Sequence, residues 1–244
     1  MRKSILMVGG TLALLGSWAH ADIVGVGANI SYWNSDVSGD AATNGDAVDL
    51  ENDLDLSSDD NANISLYVEH PVPLLPNVRV NYTSLEMDGE GQLSANFDGI
   101  ALGTTVQSDL ELDQLDLTLY YEVLDNWVNL DLGLTARDLD GELTVRDTAG
   151  VFAVSETEID AVVPLAYAAA RFDLPFTGVS VGGDINGIAY GGDAIYDLTA
   201  YGQYELSLLQ LRAGYRQITI DYEDGDDTLD LDIGGPFISA GLVF

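Results

Sequence analysis

From Val24 onward the chain is dominated by a two-residue hydrophobic period, and no other feature narrows its fold as far. Val24, Val26, Ala28, Ile30 and Tyr32 alternate with Gly25, Gly27, Asn29 and Ser31. Ala62, Ile64, Leu66 and Val68 alternate with Asn63, Ser65, Tyr67 and Glu69, and Val78, Val80 and Tyr82 with Arg79, Asn81 and Thr83. Leu115, Leu117, Leu119, Tyr121 and Val123 stand against Asp116, Thr118, Tyr120 and Glu122. Val128, Leu130, Leu132 and Leu134 follow the same scheme. Successive side chains on a strand point to opposite faces, so the pattern predicts strands with one apolar face and one polar or small face. The second half is noisier. Ile159, Ala161, Val163, Leu165 and Tyr167 form one series, and Ala194, Tyr196, Leu198, Ala200 and Tyr204 another. Leu209, Leu211, Ala213 and Tyr215 lead to a closing Pro236, Ile238, Ala240, Leu242 and Phe244. About ten strands result, most near the roughly 9–11 residues that a tilted strand needs to cross a bilayer.

Arg2 and Lys3 precede a mostly apolar stretch, Ile5 to Ala19, and Ala19-His20-Ala21 fits the small-x-small rule of signal peptidase. The stretch falls short of the about 20 residues of a spanning helix. These features predict a cleaved export signal over residues 1–21 and a barrel domain over residues 22–244. The mature chain then keeps six arginines, no lysine and one histidine, His70, against 41 acidic residues. Such a surface repels nucleic acid. The absence of cysteine removes disulfides, thiolate metal sites and thiol nucleophiles. With 47% hydrophobic residues, a charged disordered chain is also excluded.

A soluble sandwich alternates too, and three features favour a membrane barrel. Short connections (Pro71 to Asn77, Leu124 to Trp127, Asp173 to Gly178, Glu205 to Leu208) alternate with mostly longer acidic ones, Gly191 to Asp193 being a short exception. Short periplasmic turns and long outer loops give that asymmetry. Aromatic residues gather near strand ends, as Tyr32, Trp33, Tyr120, Tyr121, Trp127, Phe172 and Tyr222, in the manner of interfacial girdles. The last strand ends on its apolar face at Phe244. The expected architecture is an all-β, antiparallel, up-and-down transmembrane barrel, closed so that no strand edge is left in lipid.

Some of these residues resemble known patterns. Phe237-Ile238-Ser239-Ala240-Gly241-Leu242-Val243-Phe244 resembles the C-terminal strand signal of Gram-negative outer-membrane proteins, which the barrel assembly machinery reads. Glu69-His70-Pro71-Val72-Pro73-Leu74-Leu75-Pro76-Asn77 is similar to the hallmark of a small outer-membrane β-barrel family without an assigned activity. Asp173-Leu174-Pro175-Phe176-Thr177-Gly178 and the final Gly-Pro-Phe segment resemble that family's later blocks. The resemblance implies an outer-membrane barrel and brings no catalytic residues and no cofactor.

Three groups of residues are candidates for chemistry. Small outer-membrane barrels that are enzymes resemble one another in placing a histidine-containing group near the outer rim. His70 instead precedes Pro71 in a predicted periplasmic turn, so His70, Pro71, Pro73 and Pro76 read as a rigid structural turn, and no enzyme is expected. The acidic segments, Ser35 to Asn61 and Asp221 to Asp232, match no calcium-loop motif and read as a solvated face. No defined metal site follows, only loosely held divalent cations shared with lipopolysaccharide. Finally, Arg79, Arg137, Arg212 and Arg216 fall on polar faces with Glu69, Asp116, Glu122, Asp131, Asp184, Asp197 and Glu205. Those faces point into the barrel, where arginine forks pair well with carboxylates. One expectation is a monomeric structural or surface-interaction barrel with a filled interior. The alternative is a narrow, cation-preferring or small-solute channel. The change of phase between Leu112 and Leu115 suggests a bulge, and residues 141–154 alternate too poorly to place strand ends.

Overall fold

The computed structural model describes residues 24–43, 46–56, 60–72, 74–148 and 154–244. The predicted export segment 1–21 and Pro73 lie outside them. The strands are β1 Gly25–Asn34, β2 Asp36–Thr43, β3 Asp46–Asp49, β4 Asp60–Glu69, β5 Asn77–Gln92 and β6 Thr105–Asp125. They continue as β7 Val128–Asp147, β8 Val154–Leu174, β9 Val179–Tyr190, β10 Asp193–Leu206, β11 Leu209–Asp224 and β12 Asp227–Val243. β1, β4 and β5 to β12 pair antiparallel in chain order, and β12 returns to β1, closing a ten-stranded barrel. Val26 and Phe244 complete the seam with reciprocal backbone bonds of 3.1 and 2.8 Å. The connections 70–76, 126–127, 175–178 and 207–208 lie at the end that holds Gly25 and Val243, and the other connections lie opposite.

Much of what the sequence reads as acidic loop is strand. β2 carries Asp36 and Asp40, and the acids from Asp221 to Asp232 other than Asp226 stand on β11 and β12, which Gly225-Asp226 alone join.

The strands cross from one environment into another without changing their pleat. Along β6 the even-numbered residues face inward throughout: Val106, Leu110 and Leu112, then Gln114, Asp116, Thr118 and Tyr120. The outward residues change the other way, from Asp109, Glu111 and Asp113 to Leu115, Leu117, Leu119 and Tyr121. The expected bulge between Leu112 and Leu115 is absent. Pairing to β5 and β7 runs through that stretch unbroken, and the register slips only between Glu122 and Leu124. What inverts is the hydropathy. Inward residues of β5 switch from Arg79, Asn81 and Thr83 to Leu85 and Met87, and those of β11 from Arg212 and Arg216 to Ile218 and Ile220. The lower half, toward the short turns, therefore has an apolar outside and a polar inside. The upper half has an acidic outside and an apolar inside, as water demands.

Two further expectations change. Trp33 and Tyr120, read as girdle residues, face inward and are buried, whereas their neighbours Tyr32 and Tyr121 face out. In β8 the bulky series containing Leu165 and Tyr167 also faces inward, leaving Val162, Ala166 and Phe172 outside.

The upper interior is a packed core. β3 and the turn 50–56 fold into the mouth as a strap, placing Val48, Leu50, Leu54 and Leu56 against Leu85, Phe97, Val106 and Ile233. Gly89 and Gly91 on the inner face of β5 make room for it, since a Cβ at either would strike the backbone of Asp53 to Asp55. The wall also differs between the halves. Above Asn34, β2 stays with β12 while β4 begins only at Asp60. The upper part of β5 therefore pairs with β6 alone, and the strap lies against its inner face.

Candidate functional site

The polar interior is stacked in layers, and the uppermost lies directly beneath the apolar core. Arg137, 1% exposed, stands opposite Asp116 across the β6–β7 ladder. Its Nε and Nη2 donate to the two Asp116 carboxylate oxygens, both at 2.7 Å, the fork geometry that suits arginine to carboxylate. Nη2 also reaches Asp197 Oδ2 on β10, three strands round the barrel, at 2.6 Å. Asp197 accepts from Arg216 Nε at 2.9 Å and Nη2 at 2.7 Å. Arg216 Nη1 then crosses to Thr83 Oγ1 on β5 at 3.1 Å, and its guanidinium lies 5.0 Å from the Trp33 ring centroid.

Two arginines and two aspartates thus form a charge-balanced cluster that ties β5, β6, β7, β10 and β11 across the lumen. Single ions at such depth would be costly, and the mutual pairing offsets their desolvation. Thr118, Thr135 and Asn186 continue the layer at 2.8 and 2.7 Å.

Below it the arginines are held differently. Arg79 sits 5.3 Å from the ring centroids of both Tyr120 and Tyr167, and donates to the Tyr167 hydroxyl at 2.7 Å. The Tyr120 hydroxyl in turn donates to Glu69 Oε1 at 2.8 Å. Arg212 donates to Gln203 at 2.7 Å and lies over Tyr201 at 4.5 Å. Glu122 accepts from the Asn77 amide at 3.1 Å. Between these layers lies a cavity of about 90 Å³, lined in part by Asp184, Asn186 and Tyr201. It gives way to a vestibule of about 610 Å³ at the end of the short turns, where Asp131, Asp184 and Glu205 line the wall with Arg171 and Arg212.

Of the predicted lumen residues, Arg137, Arg216, Asp116 and Asp197 meet directly. Arg79 and Arg212 take tyrosine and glutamine partners instead of carboxylates. Arg171, which the sequence reading left out, pairs with Asp173 at 2.9 Å. Trp33, Thr83, Tyr120 and Tyr167 also contact the lumen arginines, and the sequence pattern does not single them out for that role. The odd–even rule that turned Arg79 inward could have found Thr83 and Tyr120, because each shares its strand face with a predicted lumen residue.

His70 lies in the turn 70–76. Its Nδ1 accepts from the Val72 N–H at 3.3 Å, its Nε2 lies 3.2 Å from the Pro76 carbonyl, and its backbone N–H donates to Asn77 at 2.9 Å. These contacts occupy the ring within a turn flanked by Pro71 and Pro76.

In the outer half, Asp53 is buried and accepts from both Ser94 N–H and Ser94 Oγ, tying the strap to the segment 93–104. Asp49 caps the turn that follows it, accepting from Asn52 N–H at 2.8 Å and Asn52 Nδ2 at 2.9 Å. The Asn52 donors hold its carboxyl below the usual aspartate range. The support this gives the strap is present at neutral pH and is lost as acid protonates the group. On the outer surface, acids stand opposite acids across the ladders: Glu86 with Glu111, Glu111 with Glu142, Asp113 with Asp140, and Asp140 with Asp160.

No family model matches the sequence, and no curated protein matches it. Solved structures do. The outer membrane protease OmpT from Escherichia coli is similar with a TM-score of 0.52 at 9% identity, over 90% of this chain and 97% of that one. The translocator domain of the autotransporter NalP from Neisseria meningitidis gives a TM-score of 0.48 at 11% identity, over 89% and 88% of the two chains. The attachment invasion locus protein Ail of Yersinia pestis gives 0.35 at 11% identity, over 91% and 99%. At these identities the OmpT likeness speaks to fold alone. The chain is an all-β, closed, antiparallel barrel of ten strands, similar in fold to an outer-membrane protein.

Proposed function

We propose that the protein is a non-conducting barrel of the Gram-negative outer membrane whose role is structural or one of surface interaction: it holds a rigid acidic turret at the cell surface. One observation carries this reading. Two seals lie in series along the lumen, the Arg137–Asp116–Asp197–Arg216 cluster and, above it, the core closed by the strap. Ions entering the vestibule meet a salt-bridged layer and then a dry one. The proposed setting follows from the apolar belt and the predicted export signal. Membrane lipid and lipopolysaccharide surround the monomer, the assembly machinery inserts it through the strand ending at Phe244, and divalent cations screen the acidic outer face without a fixed site. No reaction is assigned to it, since the one histidine of the mature chain serves a turn.

Planar-bilayer recording of the refolded mature chain tests the reading. The expected outcome is stable insertion without conductance steps. The channel alternative draws on the vestibule, where carboxylates outnumber arginines. Cation-selective steps in the unmodified protein would establish that alternative and end the proposal of a plugged barrel.

A further inference from the structure

The turns at the vestibule end carry large apolar side chains in a costly backbone conformation. Leu74 is 91% exposed at φ 71°, and Phe176 is 108% exposed at φ 66°. Positive φ is sterically unfavourable for residues with a Cβ, most of all for bulky ones. Both sit in the same kind of turn. Each follows a proline in sequence, Pro73 or Pro175. Each turn is closed by a backbone bond over three residues, Leu75 N–H to the Val72 carbonyl at 3.4 Å and Thr177 N–H to the Leu174 carbonyl at 3.3 Å. In such turns this position ordinarily takes glycine or asparagine. Leucine and phenylalanine here gain no burial within the chain that would offset the strain.

Two contacts tell which way the turns lean. The Tyr121 hydroxyl, on the outward face of β6, donates to the Leu74 carbonyl at 3.0 Å. Trp127, in the neighbouring turn, packs edge-on against the outward Phe172 with ring centroids 5.3 Å apart. These contacts set turn 70–76 against the outward face of β6 and turn 126–127 against that of β8, whose exposed Phe172 and Leu174 lead into turn 175–178, so the turns are continuous with the apolar belt. Leu206 and Leu208 flank the last of them, both exposed.

We infer that the periplasmic turns are wedges seated in the inner leaflet of the same membrane, with Leu74 and Phe176 as their tips. The occupant of this surface is lipid, through continuity with the belt, and the inference rests on the membrane-spanning reading of that belt. The backbone bond that closes each turn holds the exposed side chain in place before lipid arrives, so little freedom is lost on insertion. Phase partitioning fixes the depth of the barrel: a shift toward the vestibule side would bring the tips into water and the acidic turret into hydrocarbon, and a shift the other way would lift the top of the apolar belt into water.

The sequence contains no cysteine, which permits single labels. Leu74→Cys, Phe176→Cys, the belt control Leu119→Cys and the outer-turn control Asp226→Cys are made in the mature chain. Each is coupled to an environment-sensitive fluorophore and refolded into vesicles containing nitroxide-bearing lipid. The expected result is blue-shifted emission at residues 74 and 176, quenched by that lipid as strongly as at residue 119, with residue 226 unaffected. Labels at 74 and 176 that behave like the one at 226 overturn the inference and leave the spanning reading intact. If the label at 119 also escapes quenching, the spanning reading itself falls. Shielding of 74 and 176 from both the lipid quencher and aqueous iodide means that protein covers the turns, which also overturns it. Leu74→Gly combined with Phe176→Gly keeps the turn backbone and needs no label. It is expected to insert into preformed vesicles several-fold more slowly, and an unchanged rate counts against the wedge.

Discussion

The lower and upper halves of this barrel share strands, pleat and register, yet they are chemical opposites. Below, leucines and tyrosines face out and a neutral Arg–Asp cluster fills the middle. Above, acids face out and leucines fill the middle. The strand is indifferent to which face is greasy; the surrounding solvent decides. A period-two pattern therefore fixes which residues share a face and leaves open whether that face is inside or outside. The two interiors also fail differently. A buried ion pair is costly to break because one charge is left stranded, while an apolar core loses stability in proportion to the void created.

The sharpest test of that contrast is in the lower half. Arg137→Met leaves Asp116 unpaired in a buried layer and should destabilise the barrel by about 3–5 kcal/mol, read by urea unfolding in lipid vesicles. Arg137→Leu combined with Asp116→Leu should recover most of the loss, since Asp197 keeps Arg216. If the double variant is no better than the single, the cluster is not the closed unit described here. In the upper half, Leu54→Ala should cost about 2–5 kcal/mol and loosen the strap first. Hydrogen exchange should then rise over residues 46–56 and stay unchanged in β6 below Gln114. Exchange rising equally in both halves would show that they unfold as one.

The smallest effect concerns the outer face, where Asp140 stands opposite Asp113 and Asp160. Like charges in direct opposition oppose pairing, so Asp140→Asn should stabilise by roughly 0.2–1 kcal/mol for each relieved pair at low salt. The gain should vanish in millimolar magnesium if the turret is screened by mobile cations. A gain that persists would place its origin in something other than charge.

How far the sequence could be read follows the same division. Strand period, turn length and the even ring were legible because each is local or is forced by the need to pair every backbone group. The inversion was also visible, between Leu112 and Leu115, yet an inserted residue explains a phase change as well as a change of solvent does. Aromatic clustering points Trp33 and Tyr120 to a girdle, whereas their odd–even position turns them inward, and position prevails. The Arg137–Asp197 pair could not be read at all. Nothing in the sequence near β7 names a partner on β10, because that contact depends on the barrel's curvature and on side-chain reach.

The end of the β1–β4 ladder at Asn34 has a meaning of its own. Hydrocarbon offers no donor or acceptor to a bare strand margin, whereas water does. A ring immersed in lipid must be complete at every height, and it can afford to come undone only where lipid ends. On the proposed membrane-spanning reading, the parting at Asn34 is a depth gauge written in hydrogen bonds. It lies within two residues along β1 of the Tyr32–Ala62–Ser84–Asp113 row at which the outward face turns acidic. Two unrelated kinds of chemistry, ladder pairing and hydropathy, change at the same level, where the proposed reading sets the waterline.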